Sequence, residues 1–163
     1  MEYCIRFVTE ADLDAVTHVE AMSFPKAEAA TREAFATRIR TFPESFLVAV
    51  SDKQIIGIID GCCTTEPDLG DELYEPNCPH STEHPWQTVF GLAVLPECRH
   101  QGIARGLLNR LIDLSKVRGK AGVILTCKEE KISFYESFGF QCRGVSASSH
   151  GGAVWYDMIL SLS

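Results

Sequence analysis

Hydrophobic positions change their period several times along the chain, and the changes divide it into elements. Tyr3 to Val8 alternates apolar and polar residues, the pattern of a half-buried strand. From Thr9 the period lengthens. Leu13, Val16, Val19 and Met22 recur at helical spacing, Thr9 and Asp12 stand ahead of them like a capping box, and Ser23-Phe24-Pro25 ends the run. Thr31 is placed to cap a second, shorter helix with Phe35 and Ile39 inward, stopped by Pro43. Phe46 to Val50 and Ile55 to Ile59 then read as strands, joined by the turn residues Ser51-Asp52-Lys53-Gln54.

Cys62 to Trp86 is a long connection with prolines, acids and little periodicity. Thr88 to Leu95 is apolar without alternation, as for a strand buried on both faces. A helix follows from about Ile103 to Arg118, with Leu107, Leu108, Leu111, Ile112 and Leu114 on its core face and Gly119 suited to its end. Gly122 to Cys127 reads as a strand and Glu129 to Phe138 as a short helix closed by Gly139. Phe140 to Ala147 and Val154 to Leu160 read as a final antiparallel pair around Ser149-His150-Gly151-Gly152. The outcome is an α/β chain: a mixed sheet with helices on it. No repeat, linker or low-complexity tract interrupts it, so residues 1–163 are expected to form a single domain.

The 163 residues are 45% hydrophobic and 23% charged, an ordinary globular balance. With 15 Lys and Arg against 22 Asp and Glu the net charge is −7, which argues against a nucleic-acid binder, since phosphate neutralisation needs collected basic residues. Met1 to Phe7 lacks a cationic, long-apolar leader, and no apolar run reaches membrane-spanning length. A soluble cytoplasmic protein with no membrane partner is expected. The odd count of 7 cysteines fits buried thiols in a reducing compartment better than disulfides, and Cys62-Cys63 is not a C-x-x-C redox pair. Cys78, His80 and His84 superficially suggest zinc, but no fourth ligand stands at motif spacing, so no metal is expected. Cys98 with His100 has no marked oxyanion hole for acyl-enzyme chemistry. Glu66, Asp68, Asp71, Glu72 and Glu75 read as a solvated loop, which could also attract an ammonium group.

The chemistry concentrates between Thr88 and Arg118. A loop ending in Gly102 and Ala104 at a helix start lets backbone N–H groups converge on an anion, with the helix dipole behind them. Arg99, His100 and Arg105 stand beside it and suit a pyrophosphate. By spacing alone an ordinary strand–helix junction fits as well. Neither G-x-G-x-x-G nor G-K-[ST] is present.

Leu92-Ala93-Val94 followed by Arg99-His100-Gln101-Gly102-Ile103-Ala104 resembles the acyl-CoA motif [QR]-x-x-G-x-[GA] of the GCN5-related N-acetyltransferases. Phe134-Tyr135-Glu136-Ser137-Phe138-Gly139-Phe140 resembles that family's F-Y-x-x-x-G-F signature. Phe42-Pro43-Glu44 and Thr126-Cys127-Lys128 look most like its arylalkylamine branch, which acetylates serotonin-type amines. The resemblance implies a mostly antiparallel sheet of about seven strands flanked by about four helices, with splayed strands forming an acetyl-CoA cleft. It implies that backbone groups of Leu92, Ala93 and Val94 meet pantetheine, that Arg99, His100, Gln101, Gly102, Ile103, Ala104 and Arg105 hold the pyrophosphate, and that Thr126 borders the cofactor. Tyr135 falls on the tyrosine that protonates the CoA thiolate, and Phe24 and Trp155 fall near the aromatic walls around the amine. Without the resemblance, all three read as core aromatics.

The implied function is an acetyl-CoA-dependent N-acetyltransferase attacking the thioester with a small aromatic or hydrophobic primary amine, without metal and with a homodimer left open. The alternatives are a CoA-binding regulatory module or an enzyme acting on a peptide amine. One departure bears on mechanism: Thr88-Val89-Phe90 stands where the arylalkylamine branch carries H-x-H. Neither Thr88 nor Phe90 can act as a base. A water chain with a carboxylate such as Glu83 is the expected proton route, with His84 as the alternative.

Overall fold

Asp52 (φ 50°) and Lys53 (φ 65°) both take left-handed backbone, the requirement of the two-residue turn whose twist matches a hairpin. That turn folds β2 (Phe46–Ser51) onto β3 (Gln54–Asp60). The computed structural model describes residues 1–75 and 78–162, and the chain forms two compact units.

The first unit comprises Met1–Gly61 and Gly91–Asp113. Its sheet has the order β1 (Cys4–Phe7), β2, β3, β6 (Gly91–Val94), antiparallel throughout. The Thr9 N–H and hydroxyl both donate to Asp12 Oδ2, at 2.8 and 3.2 Å, opening a 3-10 turn that leads into α1 (Leu13–Ser23). Thr31 Oγ1 accepts from the Ala34 N–H and caps α2 (Arg32–Thr41), whose Phe35 and Ile39 are buried as expected. α1 packs on β3 and β6. Val16 and Val19 are fully buried, but Met22 is 50% exposed. At 100° per residue Met22 lies about 120° round from Val16, outside the stripe; Glu20 occupies the stripe instead.

The second unit comprises Cys62–Phe90 and Leu114–Ser163. Its sheet has the order β4 (Cys63–Thr64), β5 (Trp86–Val89), β7 (Gly122–Cys127), β9 (Tyr156–Ser161), β8 (Gln141–Val145), parallel only between β5 and β7. α3 (Ile103–Val117) starts in the first unit and ends in the second, where Gly119 (φ 72°) closes it. The expected helix at Glu129 divides into a 3-10 turn, Glu129–Lys131, and α4 (Ile132–Glu136). Lys120, almost wholly buried, donates through Nζ to the carbonyls of Thr82 (2.5 Å) and His84 (2.7 Å), which ties the long connection to this unit.

The mixed, mostly antiparallel architecture with four α-helices is the expected one, while the strands number nine in two sheets among the described residues. Two local features explain the difference from about seven. The apolar run from Thr88 to Leu95 is interrupted at Phe90, so β5 ends in one sheet and β6 begins in the other. β4 has only two residues, too short to leave a period. All seven cysteines are free thiols. No helix among the described residues is long and apolar enough to cross a membrane.

Candidate active site

β6 is one of the two outer strands of the first sheet, so only one of its edges is paired in it. The Leu95 N–H donates to Ile56 O at 2.9 Å, and Ala93 pairs with Ile58 in the same register. Antiparallel alternation therefore turns the Ala93 backbone into the ladder and the Leu92 and Val94 backbones to the outer edge. The sequence reading had grouped all three; the register separates Ala93. The Val94 carbonyl already accepts from Arg99 Nε (3.1 Å) and Ser23 Oγ (3.4 Å), which leaves the other guanidinium nitrogens of Arg99 to face elsewhere.

Past β6 the chain makes a 3-10 turn, Pro96–Cys98, and reaches α3 through His100 (φ 63°) and Gly102 (φ 80°). Two left-handed residues within three swing successive N–H groups toward one side, the nest geometry that receives anions. A Cβ on Gly102 would meet nothing within 4 Å, so the approach to this end of α3 is open. Ile103 is buried and anchors the turn, while Arg99, His100, Gln101 and Arg105 are exposed around it and Ala104 is half-buried.

Behind β6 lies a charged cluster that the sequence reading did not single out. Arg38 Nη1 donates to Asp60 Oδ2 at 2.9 Å; Asp60 is wholly buried and Arg38 nearly so, its guanidinium 5.3 Å from the Phe35 ring. Glu20, 5% exposed, accepts the Ala30 N–H on Oε2 at 2.9 Å. Glu20 Oε1 and Asp60 Oδ1 have no hydrogen-bond partner. Both stand beside Gly91: a Cβ there would lie 3.3 Å from the first and 3.6 Å from the second. Burial pushes the Glu20 carboxyl up to about 7, and the nearby Asp60 charge adds to this against the Ala30 N–H and Arg38. Burial also raises Asp60, with Arg38 opposing.

In the second unit, Tyr135 sits on α4 with its ring edge-on to Phe134 (5.1 Å) and Phe140 (5.8 Å). Burial pushes its phenol up, with Cys127 adding to the effect, so the hydroxyl is fully protonated at neutral pH. Thr126, half-buried on β7, pairs with Asp157. Trp155 precedes β9 rather than lying within it; its Nε1 donates to His150 O at 2.8 Å and Lys128 Nζ lies 5.8 Å from its ring. His150 stacks on Tyr74 (5.5 Å) and tilts against Trp155 (6.2 Å), and Tyr74 meets Phe90 at 4.5 Å. Trp155 thus belongs to a four-ring wall whose other members went unnoticed, because the rings come from three separate segments. Phe24, the other expected wall residue, ends α1 in the first unit and is half-buried.

His80 and His84 serve the backbone: His80 Nδ1 accepts the Cys63 N–H at 3.0 Å and His84 Nδ1 lies 3.3 Å from Cys63 O. Among the described residues no group of three His, Cys, Asp or Glu could hold a metal. Glu83 is exposed on the loop. Burial drives the Cys62 thiol up to about 12, against its bond from Thr88, so it is inert as a nucleophile.

A family model described as "Acetyltransferase (GNAT) domain" matches residues 43–142. The chain belongs to the GNAT family of acetyltransferases. It is 28% identical over 103 residues to the mouse (Mus musculus) "Probable N-acetyltransferase family 8 member 5", a match covering 61% of this chain and 40% of that one. The chain therefore aligns with about two fifths of the length of this curated relative. Among solved structures, a GphF GNAT-like decarboxylase in complex with isobutyryl-CoA superposes with TM-score 0.86 at 18% identity, covering 98% of this chain and 100% of that one. Arabidopsis thaliana Naa50 in complex with the bisubstrate analogue CoA-Ac-MVNAL gives 0.73 at 18% identity, covering 99% of each. At such identities the likeness is one of fold, and a fold that hosts a decarboxylase leaves the chemistry to be argued from residues.

The buried GNAT carboxylates make a prediction about stability. Because the folded protein holds the Glu20 proton up to about pH 7, it binds more protons than the unfolded chain between the ordinary carboxylate range and 7, and stability falls as pH rises through that window. The loss attributable to Glu20 is on the order of 3 kcal/mol. Glu20→Gln should therefore gain stability relative to the unaltered protein as pH rises from 5 to 8, measured by denaturant unfolding; a difference constant with pH would show that Glu20 carries no raised affinity for protons.

Proposed function

We propose that this chain is an acetyl-CoA-dependent N-acetyltransferase acting on the primary amine of a small aromatic or hydrophobic molecule. The carrying observation is the outer edge of β6 leading directly into the open, left-handed turn at the start of α3. Pantetheine is an extended chain with two amides, and an outer strand edge offers it the alternating N–H and C=O groups of a further strand. Leu92 and the Val94 N–H serve it. The pyrophosphate then meets the α3 N-terminus, where backbone N–H groups and the helix dipole favour negative charge without a large basic patch.

The reaction joins the amine nitrogen to the acetyl carbon and breaks the carbon–sulfur bond. A strand N–H at the thioester oxygen stabilises the charge that develops there. Tyr135 supplies a proton to the sulfur. Its raised affinity for that proton keeps it in the acid form, but a thiolate whose thiol has an ordinary pKa of about 8.5 accepts it uphill, so the acid works by position. The four-ring wall of Tyr74, Phe90, His150 and Trp155 supports an aromatic acceptor. Phe90 contributes apolar surface at the place where the arylalkylamine branch has a relay histidine.

Three outcomes check this reading. Gly102→Val should weaken acetyl-CoA binding in calorimetry while the protein stays folded, because it puts a branched side chain at φ 80° where the phosphates approach; unchanged affinity would remove the loop from the site. Tyr135→Phe should lower kcat by about 10²-fold with acetyl-CoA affinity intact; an unchanged kcat returns Tyr135 to the core. In thioester-cleavage assays over aromatic, aliphatic and peptide amines, the aromatic amines should react best, and Trp155→Ala should raise KM for them selectively. Preference for the peptide would overturn the small-amine reading, and tight acetyl-CoA binding with no turnover on any amine would favour a binding module.

A further inference from the structure

Primary amines reach an enzyme at neutral pH as ammonium ions, with only about one in 10³ neutral if Lys is the guide. Acyl transfer needs the neutral form, so a proton must leave before attack. Of the two groups expected for this task from the sequence, Glu83 is exposed on a loop and His84 has its Nδ1 3.3 Å from Cys63 O. The first unit contains a better equipped candidate.

Two carboxylate oxygens, Glu20 Oε1 from α1 and Asp60 Oδ1 from β3, are buried without partners and converge on the residue that opens β6. Burying a polar atom unpaired is costly, so two such atoms aimed at one point call for a shared function. That residue is Gly91, which places no side chain between them. Its neighbour Leu92 presents its backbone to the strand edge where the Proposed function puts the thioester. Glu20 also lies one turn before Phe24, whose N–H donates to Glu20 O at 3.1 Å, so the amine-wall candidate on α1 is continuous with it.

We propose that Glu20 accepts the proton that the acceptor amine loses, through a single water seated above Gly91 within hydrogen-bond reach of Glu20 Oε1 and Asp60 Oδ1. The ammonium group gives one proton through that water to the Glu20 carboxylate, which becomes a carboxylic acid. The neutral nitrogen bonds to the acetyl carbon and the carbon–sulfur bond breaks; the sulfur takes a proton from Tyr135, the nitrogen releases its remaining extra proton to solvent to leave the neutral amide, and Tyr135 regains a proton from solvent. Glu20 then returns its proton to solvent. Asp60 is the positioning residue: paired with Arg38 through Oδ2, it keeps Oδ1 fixed on the water. The charged groups acting on Glu20 are Asp60 from β3 and Arg38 from α2, while β6 contributes none. The balance of burial and these charges holds Glu20 near 7, where a base is half ionised at working pH and returns its proton readily.

This assignment rests on the acetyltransferase reading, and the experiment separates the two. Acetyl-CoA affinity and the pH profile of kcat/KM for the best aromatic amine are measured for the unaltered protein, Glu20→Gln and Gly91→Ala. The unaltered protein should rise to a plateau with an inflection near pH 7. Glu20→Gln should bind acetyl-CoA normally, lose about 10²-fold in kcat/KM at pH 7.5, lack the inflection, and recover toward the unaltered rate near pH 10, where the amine is neutral by itself. Gly91→Ala keeps both carboxylates but fills the water's place with a methyl group, and should lose at least tenfold in kcat with acetyl-CoA affinity preserved. An inflection that persists in Glu20→Gln, or unaltered turnover in Gly91→Ala, overturns the role of Glu20 alone. Failure of the unaltered protein to bind acetyl-CoA overturns the reading of the site itself.

Discussion

The first unit depends on one buried guanidinium. Arg38 reaches from α2 to Asp60 at the end of β3, and its plane lies against Phe35. Removing one member of such a pair costs about 3–5 kcal/mol, because the other charge is left uncompensated in a medium that cannot solvate it. The pair does more than fix α2 to the sheet. A wholly buried aspartate is tolerable only beside that cation, and only with Asp60 in place does Glu20 meet a second carboxylate. The geometry behind β6 therefore follows from a helix residue that itself touches none of the proposed reacting atoms.

A second constraint acts on β6. An inner strand spends its backbone groups on two neighbours; an outer strand keeps one row for something else. The chain secures this by changing sheets at Phe90 and Gly91, within a run whose side chains alone are uniformly apolar. Exposed edges invite aggregation unless they are short or covered, and β6 has four residues. Its length and its position at the margin of the sheet fit the proposed docking of an extended ligand on that edge.

Much of the fold was legible because helical and strand periods differ and the stop signals are chemical: Pro43 and Gly119 follow helix ends where expected, and Thr31 caps α2. The break at Phe90 was not legible, since it depends on which strands each half pairs with, a non-local fact. The loop from Arg99 to Arg105 could be read because its glycine and basic residues are contiguous. The wall of Tyr74, Phe90, His150 and Trp155 could not, as its members are joined only by the fold. Glu20 left a usable signal that periodicity obscured. The stripe of α1 runs Val16, Val19, Glu20, Ser23, and an acid inside an apolar stripe is the anomaly that marks function; Met22 was assigned to the core in its stead.

Glycine at position 91 shows how stability and chemistry are set against each other. A strand position gains from almost any side chain, and the backbone at Gly91 lies outside the left-handed region, so no turn requires glycine there. Alanine would cost the chain less entropy on folding, with its methyl group set tightly at 3.3 Å against Glu20 Oε1. A protein selected only to fold would fill that space and neutralise Glu20. Keeping it open retains two unpartnered carboxylate oxygens and a carboxyl raised to about 7, features that weaken the folded state at neutral pH and supply a base with matched affinity for a proton. The destabilising features and the useful ones are the same atoms, which is the expected state of a site where a polar group must exchange its partner during a reaction.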